Sequence, residues 1–263
     1  MRTQVNADQI AQYRRDGFLV IEDFLSPEEL GELKGAVLEA VASVGAKKVA
    51  GGEVDWEDSE GYYGKVFTQK LNLWKVHPTV KRYMLDPGIG RMLCELEGVE
   101  RFRVWHDQAL IKPAWGNPTA WHLDNPYWSF SSHHSLSLWI ALEDATFQNG
   151  CLYFLPGTHQ EASFDNVGIG ENVGGLFEVF PQWKDREPVP APMRAGSASL
   201  HNGLCAHGAG ANMTPRTRAA MTCAYMPDGS VFNGQANILP PAYLASLKVG
   251  DTLDNDAENP LLG

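Results

Sequence analysis

Leu136-Ser137-Leu138-Trp139-Ile140-Ala141-Leu142 and Cys151-Leu152-Tyr153-Phe154-Leu155, joined through a segment ending in Asn149-Gly150, read as two short strands about a turn. Both runs are too short for buried helices and are bounded by turn formers, which suits strands of a packed sheet. Asn-Gly supplies the positive φ that a tight turn requires. From Arg101 onward the same texture continues, with β-branched, aromatic and aliphatic runs separated by Gly, Pro, Asn and Asp at intervals of roughly 8 to 15 residues. Further strands are expected near 197–201, 204–207 and 217–226, a rhythm that belongs to a β-sandwich or barrel.

Upstream the pattern is helical. Ile10 and Tyr13 lie at helical spacing before Gly17, and Phe18-Leu19-Val20-Ile21 then reads as a buried strand. Ser26-Pro27-Glu28-Glu29 provides an N-cap, a proline in the first turn and a capping-box glutamate, predicting a helix to about Gly45. Residues 46–64 are glycine-rich and acidic and are expected to form a mobile surface loop that covers a site. Helical patterning returns from about Thr79 to Glu97. The expectation is one domain over 1–263: a helical part to about 100, a sandwich core over about 101–230 and a C-terminal extension over 231–263.

A chain of 263 residues buries roughly 70–75% of its unfolded surface and needs no metal merely to fold, so a metal here serves function. The net charge of −11 provides no broad basic surface, which argues against nucleic acid and anionic membrane as partners. Cys94, Cys151, Cys205 and Cys223 are far apart, no C-x-x-C occurs, and no apolar run is long enough to span a bilayer. Reduced thiols and a cytoplasmic location are expected. The sequon at Asn212 is then accidental.

Walker A, H-E-x-x-H and G-x-S-x-G motifs are absent, and Gly168, Gly170 and Gly174 have the wrong spacing for a dinucleotide fingerprint. His122-Leu123-Asp124 has the form that delivers a nitrogen and an oxygen from one face of a strand. Two histidines and one carboxylate hold Fe(II) facially and leave positions open. His207 and His201 compete for the third place, and spacing does not choose between them. His159 and Glu161 follow a turn rather than a strand, while His106-Asp107 and His133-His134 are adjacent pairs whose members point to opposite faces if extended. Arg218, in an alternating segment, has the guanidinium needed to grip a carboxylate, with a surface ion pair as its competing role. Trp105, Trp121, Tyr127 and Trp128 either line a pocket for an apolar or ring-containing molecule or fill the core.

Taken in order, Tyr13, Asp16-Gly17-Phe18-Leu19-Val20, Trp121-His122-Leu123-Asp124, Trp139 to Thr146, Asn149-Gly150-Cys151-Leu152, Pro156-Gly157-Thr158-His159 and His207 to Asn212 with Arg218 resemble the phytanoyl-CoA dioxygenase family of Fe(II)/2-oxoglutarate oxygenases. The resemblance covers nearly the whole chain. It implies a mainly β fold with flanking helices, a double-stranded β-helix (jelly roll, cupin-like) buttressed by the N-terminal helices. It also implies iron on His122, Asp124 and His207, with the His-to-Arg interval selecting His207 over His201, and the distal carboxylate of 2-oxoglutarate on Arg218. Gln108, Lys70 and Trp139 fall near positions where family members contact the cosubstrate. Leu123 stands where relatives often carry a polar residue, and its side chain is expected to face away from the iron. The aspartate at 124 favours oxidation over the halogenation of relatives that have a small residue there.

The implied activity is Fe(II)- and O2-dependent oxidation of a small molecule, with hydroxylation of an unactivated C–H, succinate and CO2 as products. Desaturation, epimerisation and cyclisation diverge only after the same hydrogen abstraction, and the family name does not imply a coenzyme A thioester. Two alternatives are a non-catalytic jelly-roll binding protein and a cupin-like isomerase or hydrolase using another divalent metal.

Overall fold

Apolar residues alternate between two destinations along the central strands: Trp139 and Ala141 pack toward a second sheet, while Leu138 and Ile140 pack toward helices. The structure, a computed structural model, describes residues 1–45, 47–50 and 62–262. The expected loop at 46–64 thus lies largely outside the described residues. Strands occur as β1 (Phe18–Ile21), β2 (Thr68–Leu71), β3 (Phe102–Lys112), β4 (Thr119–His122), β5 (Leu136–Ala141), β6 (Leu152–Phe154), β7 (Val189–Ala191), β8 (Ala198–Asn202), β9 (His207–Ala209) and β10 (Arg218–Pro227). They form a larger sheet ordered β1-β8-β5-β10-β3-β2 and a smaller one ordered β4-β9-β6-β7. The strand pairs within both sheets are antiparallel. The fold is the double-stranded β-helix.

Four helices cover the outer face of the larger sheet: α1 (Ala7–Asp16), α2 (Pro27–Val44), α3 (Pro78–Met84) and α4 (Pro87–Glu97). With one face under helices and the other facing the smaller sheet, β10 is buried almost end to end. Gly17 ends α1 at φ +82°, where a Cβ would lie 2.4 Å from the His159 ring, so the turn into β1 needs glycine twice over. The capping box at α2 is present in both directions, Glu29 N–H to Ser26 Oγ at 3.2 Å and Ser26 N–H to Glu29 Oε2 at 2.9 Å.

The helical patterning over Thr79–Glu97 is realised as two helices, because Asp86 caps a new start and Pro87 opens it. One expectation changes. The strand expected at 204–207 begins only at His207; residues before it turn, with the Cys205 N–H bonded to the Asn202 carbonyl.

The chain finishes by folding back on the barrel. Leu261 bridges to Arg103, whose guanidinium reaches Asp228 at 2.6 Å, Asp256 at 2.7 Å and the Asn259 carbonyl at 3.0 Å. This fastening holds the 231–258 segment, including α5 (Leu176–Val179)'s later counterpart α6 (Pro241–Ser246), against Trp105, Trp128 and Phe130.

Candidate metal and cosubstrate site

The pairing of β4 with β9 sets His122 directly opposite His207, and their ring centroids are 4.2 Å apart. Each ring is oriented by its own backbone: His122 Nδ1 lies 2.8 Å from the Ala120 carbonyl and His207 Nδ1 3.0 Å from the Cys205 carbonyl. A carbonyl only accepts, so Nδ1 carries the hydrogen in both rings and Nε2 presents a lone pair. β4 ends at His122, and Asp124 reaches in from the turn that follows rather than from the strand. Its Oδ1 lies 3.6 Å from His122 Nε2 and 3.7 Å from His207 Nε2, too long for hydrogen bonds and fitting for three ligands of one ion. The three donor atoms lie within 4.8 Å of one another. Two nitrogens and one oxygen, with neutral-imidazole tautomers already set, fit Fe(II).

The other carboxylate oxygen is held by residues that sequence reasoning did not assign. Ser137 Oγ donates to Asp124 Oδ2 at 2.7 Å and His201 Nε2 donates to it at 3.3 Å. His201, the rival third ligand, therefore orients the carboxylate instead. Strand register explains the convergence, because Ser137 on β5 stands opposite His201 on β8. Burial would raise the Asp124 carboxyl, but His207, His122 and His201 around it hold it well below the usual range. Burial, with His122 beside it, pushes His207 well below its ordinary value, so it stays a neutral donor. Leu123 is fully buried in the cluster with Leu155 and Leu176, away from the ligands.

These groups line a cavity of about 920 Å³ between the sheets. Register orders its walls. Arg218 on β10 lines one end, paired with Lys112 of β3, which shares the face but is not itself a lining residue; further along the same faces come Gln108 with Thr222, then His106 with Ala224. Trp139 pairs with Thr222 and Ser137 with Ala224, so Arg218 sits at one end and the groups around Asp124 toward the other. Arg218 is 1% exposed, its guanidinium 5.2 Å from the Trp139 ring, and its Nε and Nη1 have no hydrogen-bond partner. Burial pushes it down to about 10, still charged at neutral pH. Gln108 lines the cavity and accepts from the Gln69 amide.

Lys70 is not brought to the cavity. Strand alternation turns it away while Gln69 and Leu71 on either side face in, and its ammonium donates to the Gly45 carbonyl at 2.6 Å. Among the aromatic candidates, Tyr127 and Trp128 line the cavity; Trp105 packs on Phe130 and Trp121 on Phe177. His106 also faces the cavity, held down to about 4 by burial and hence neutral, whereas Asp107 on the opposite face accepts the N–H groups of Leu73 and Trp74 at 2.6 and 2.8 Å. His159 and Glu161 serve structure, His159 Nε2 reaching the Arg14 carbonyl at 3.2 Å and Glu161 the Arg186 guanidinium at 2.7 Å. Burial pushes the Cys205 thiol up to about 12, which keeps it a small buried hydrophobe.

A model of the family described as phytanoyl-CoA dioxygenase (PhyH) matches residues 13–220, which include all three ligand positions and Arg218. The chain belongs to the PhyH family. Among curated relatives, phytanoyl-CoA dioxygenase domain-containing protein 1 of Bos taurus is 27% identical over 282 residues, covering 90% of this chain and 95% of its own. Among solved structures, the non-heme alpha ketoglutarate dependent carbocyclase SnoK from nogalamycin biosynthesis superposes with a TM-score of 0.81 at 25% identity, over 99% of this chain and 97% of that one. The epimerase SnoN, solved in complex with Fe3+, alpha ketoglutarate and nogalamycin RO, gives 0.74 at 25% identity, over 97% and 98%. This PhyH member is an iron- and 2-oxoglutarate-dependent oxidoreductase of the dioxygenase class acting on a small molecule. Among the described residues no helix is long and apolar enough to cross a membrane.

Proposed function

We propose that this enzyme hydroxylates an unactivated C–H of a small, ring-containing or apolar molecule, releasing succinate and CO2. The observation that carries the reading is the pairing, in one cavity, of a two-histidine, one-carboxylate ligand set with a buried, under-bonded arginine. His122, Asp124 and His207 are assigned as iron ligands and Arg218 as the grip on the distal carboxylate of 2-oxoglutarate. Trp139 backs that arginine, and Gln108 is assigned to the wall beside the cosubstrate. Bound iron with 2-oxoglutarate and O2 supplies the oxidising power.

The chain's own contribution is orientation and dryness. Arg218 offers parallel N–H donors to a carboxylate with no competing anion among the described residues bonded to it. His122 and His207 aim Nε2 at the ligand position because Nδ1 of each ring donates to backbone. Tyr127, Trp128, Ile238 and Leu239 give the substrate end an apolar wall that excludes water and suits a ring. The four cysteines are unpaired, which supports a cytoplasmic location.

The test adds Fe(II) and then 2-oxoglutarate to metal-free protein without oxygen, follows the visible charge-transfer band of the chelate, and then admits oxygen and assays succinate. Band and succinate, both lost in His122→Ala, are expected. Well-folded, iron-loaded protein giving neither would overturn the assignment. Substrates found by shifts in that band then separate the outcomes by product mass: one added oxygen marks hydroxylation, loss of two hydrogens marks desaturation or cyclisation, and an unchanged mass marks epimerisation.

A further inference from the structure

Lys112 and Arg218 are direct cross-strand partners on β3 and β10, so both side chains leave the sheet on the same face. Both are buried, at 0% and 1% exposure. Like charges placed opposite each other in a sheet are destabilising, and burial adds the desolvation of each. An ammonium has three donors, but among the described residues Lys112 Nζ finds one acceptor, the Asn117 carbonyl at 2.6 Å. The Phe67 ring lies beside it, its centroid 4.5 Å from Nζ and 6.0 Å from the Arg218 guanidinium carbon. Phe67 and Arg218 line the cavity, and Lys112, which does not itself line it, lies against Phe67 at that end.

Gly150 draws the two side chains together. Its carbonyl accepts from Arg218 Nη2 at 3.1 Å, and a Cβ on it would lie 3.1 Å from Lys112 Cδ and Cε. The lysine stem thus runs across the glycine that holds the arginine.

No described acid neutralises this pair. Glu143, whose charge is felt at Arg218, already accepts the Ala219 N–H at 2.9 Å and pairs with Lys34 of α2 at 3.0 Å. Cys151 and Tyr153, on the β6 side, are both pushed up by burial and stay neutral. On the Phe67 side, Tyr62 is likewise raised by burial, and its hydroxyl donates to the Pro118 carbonyl at 3.2 Å. Lys65, whose carbonyl accepts from Asn117, is exposed.

We propose that Lys112 is a second cationic anchor for the distal carboxylate of 2-oxoglutarate, acting beside Arg218. This rests on the reading of Arg218 given above and adds a residue to it. It also makes cosubstrate binding a proton-coupled event. Burial and the neighbouring arginine bring Lys112 down to about 7, so at neutral pH much of it is the free amine. An arriving carboxylate favours the ammonium; the Nζ lone pair takes a proton from solvent, and the side chain changes from neutral to singly positive. Below about pH 7 the proton is already present and affinity is flat. Above it, each pH unit weakens binding about tenfold until the pKa of the bound state is reached.

The experiment is calorimetric titration of 2-oxoglutarate into full-length, metal-loaded, oxygen-free protein at pH 6 to 9, in pairs of buffers with different ionisation enthalpies. Wild type is expected to take up close to one proton per cosubstrate above pH 8 and close to none at pH 6. Lys112→Met is expected to abolish the uptake, flatten the pH dependence and weaken binding about tenfold or more at pH 6.5; Lys112→Arg is expected to keep affinity without uptake. Absence of proton uptake by wild type at every pH, or a Met variant that binds as wild type does, overturns the proposal. Should Lys112→Met fail to fold, wild type and Lys112→Arg still decide it. Wild type that binds no 2-oxoglutarate brings down the cosubstrate reading as well, whereas loss of affinity in Arg218→Ala alone brings down only the role of Lys112.

Discussion

The two ends of the cavity solve opposite problems. Around Asp124 every oxygen has company, since Ser137 and His201 bond one while the ligand histidines flank the other. Around Arg218 the charges are left with too few partners among the described residues: two guanidinium nitrogens without a bond, and a lysine with a single acceptor. A metal ligand must be rigid before the metal arrives, because misplacement of a donor is paid in affinity. A carboxylate receptor gains by leaving strong donors unsatisfied, since a buried unpaired cation strengthens its hold on the anion that completes it.

The most damaging way to test this contrast is to remove a ligand. His122→Ala or Asp124→Ala should lose iron binding and reduce succinate formation to background, measured by metal content and turnover, while the melting transition of the metal-free protein stays cooperative. Next in size, Arg218→Ala should raise the dissociation constant for 2-oxoglutarate by at least about thirtyfold, for an interaction worth about 2 to 5 kcal/mol, with iron affinity unchanged. An equal loss of iron and cosubstrate affinity in that variant would erase the distinction between the two ends.

Ser137→Ala and His201→Asn should each weaken iron about ten- to a hundredfold while leaving the three ligands in place. Metal titration is the readout, and affinity equal to wild type would mean that Asp124 is positioned by its turn alone. Smallest is a stability effect. Folding lowers the Lys112 pKa from its ordinary value of about 10.5 to about 7, so the folded state is penalised below pH 7 and regains stability as pH rises toward the unfolded value. Lys112→Met should therefore raise the melting temperature of cosubstrate-free protein most at pH 6, by a few degrees, and the gain should shrink toward pH 9. A pH-independent difference would show that the effect is packing rather than charge.

The parts of this architecture that could be read in the sequence are those where one local rule dominates. The cap of α2 follows from Ser26 three residues before Glu29, and β5 and β10 follow from apolar runs that are buried on both faces. By contrast β2, Thr-Gln-Lys-Leu, carries no apolar alternation and is a strand only because β3 offers it an edge. The ligand pair was legible because His122 and Asp124 are neighbours in sequence. The roles of Ser137, His201 and Lys112 were not, because each depends on register between strands far apart in the chain, and a shift of one residue would turn each side chain to the other face. Lys70 fails for that reason, being one place out of phase with Gln69.

The fastening of the C-terminal segment by Arg103 has a consequence for the shape of the cavity. Asn237 to Ala242, Ala257 and Glu258 form part of the cavity wall, yet they lie beyond residues 13–220, the stretch matched to the family. The segment is joined to the barrel by the Arg103 guanidinium, by the Asn233 and Asn259 side chains on barrel carbonyls, by the Lys75–Glu258 ion pair and by an apolar cluster with Trp105, Trp128 and Phe130. None of these residues is a metal ligand, so the C-terminal segment shapes what can reach His122, Asp124 and His207 without taking part in how the metal is held.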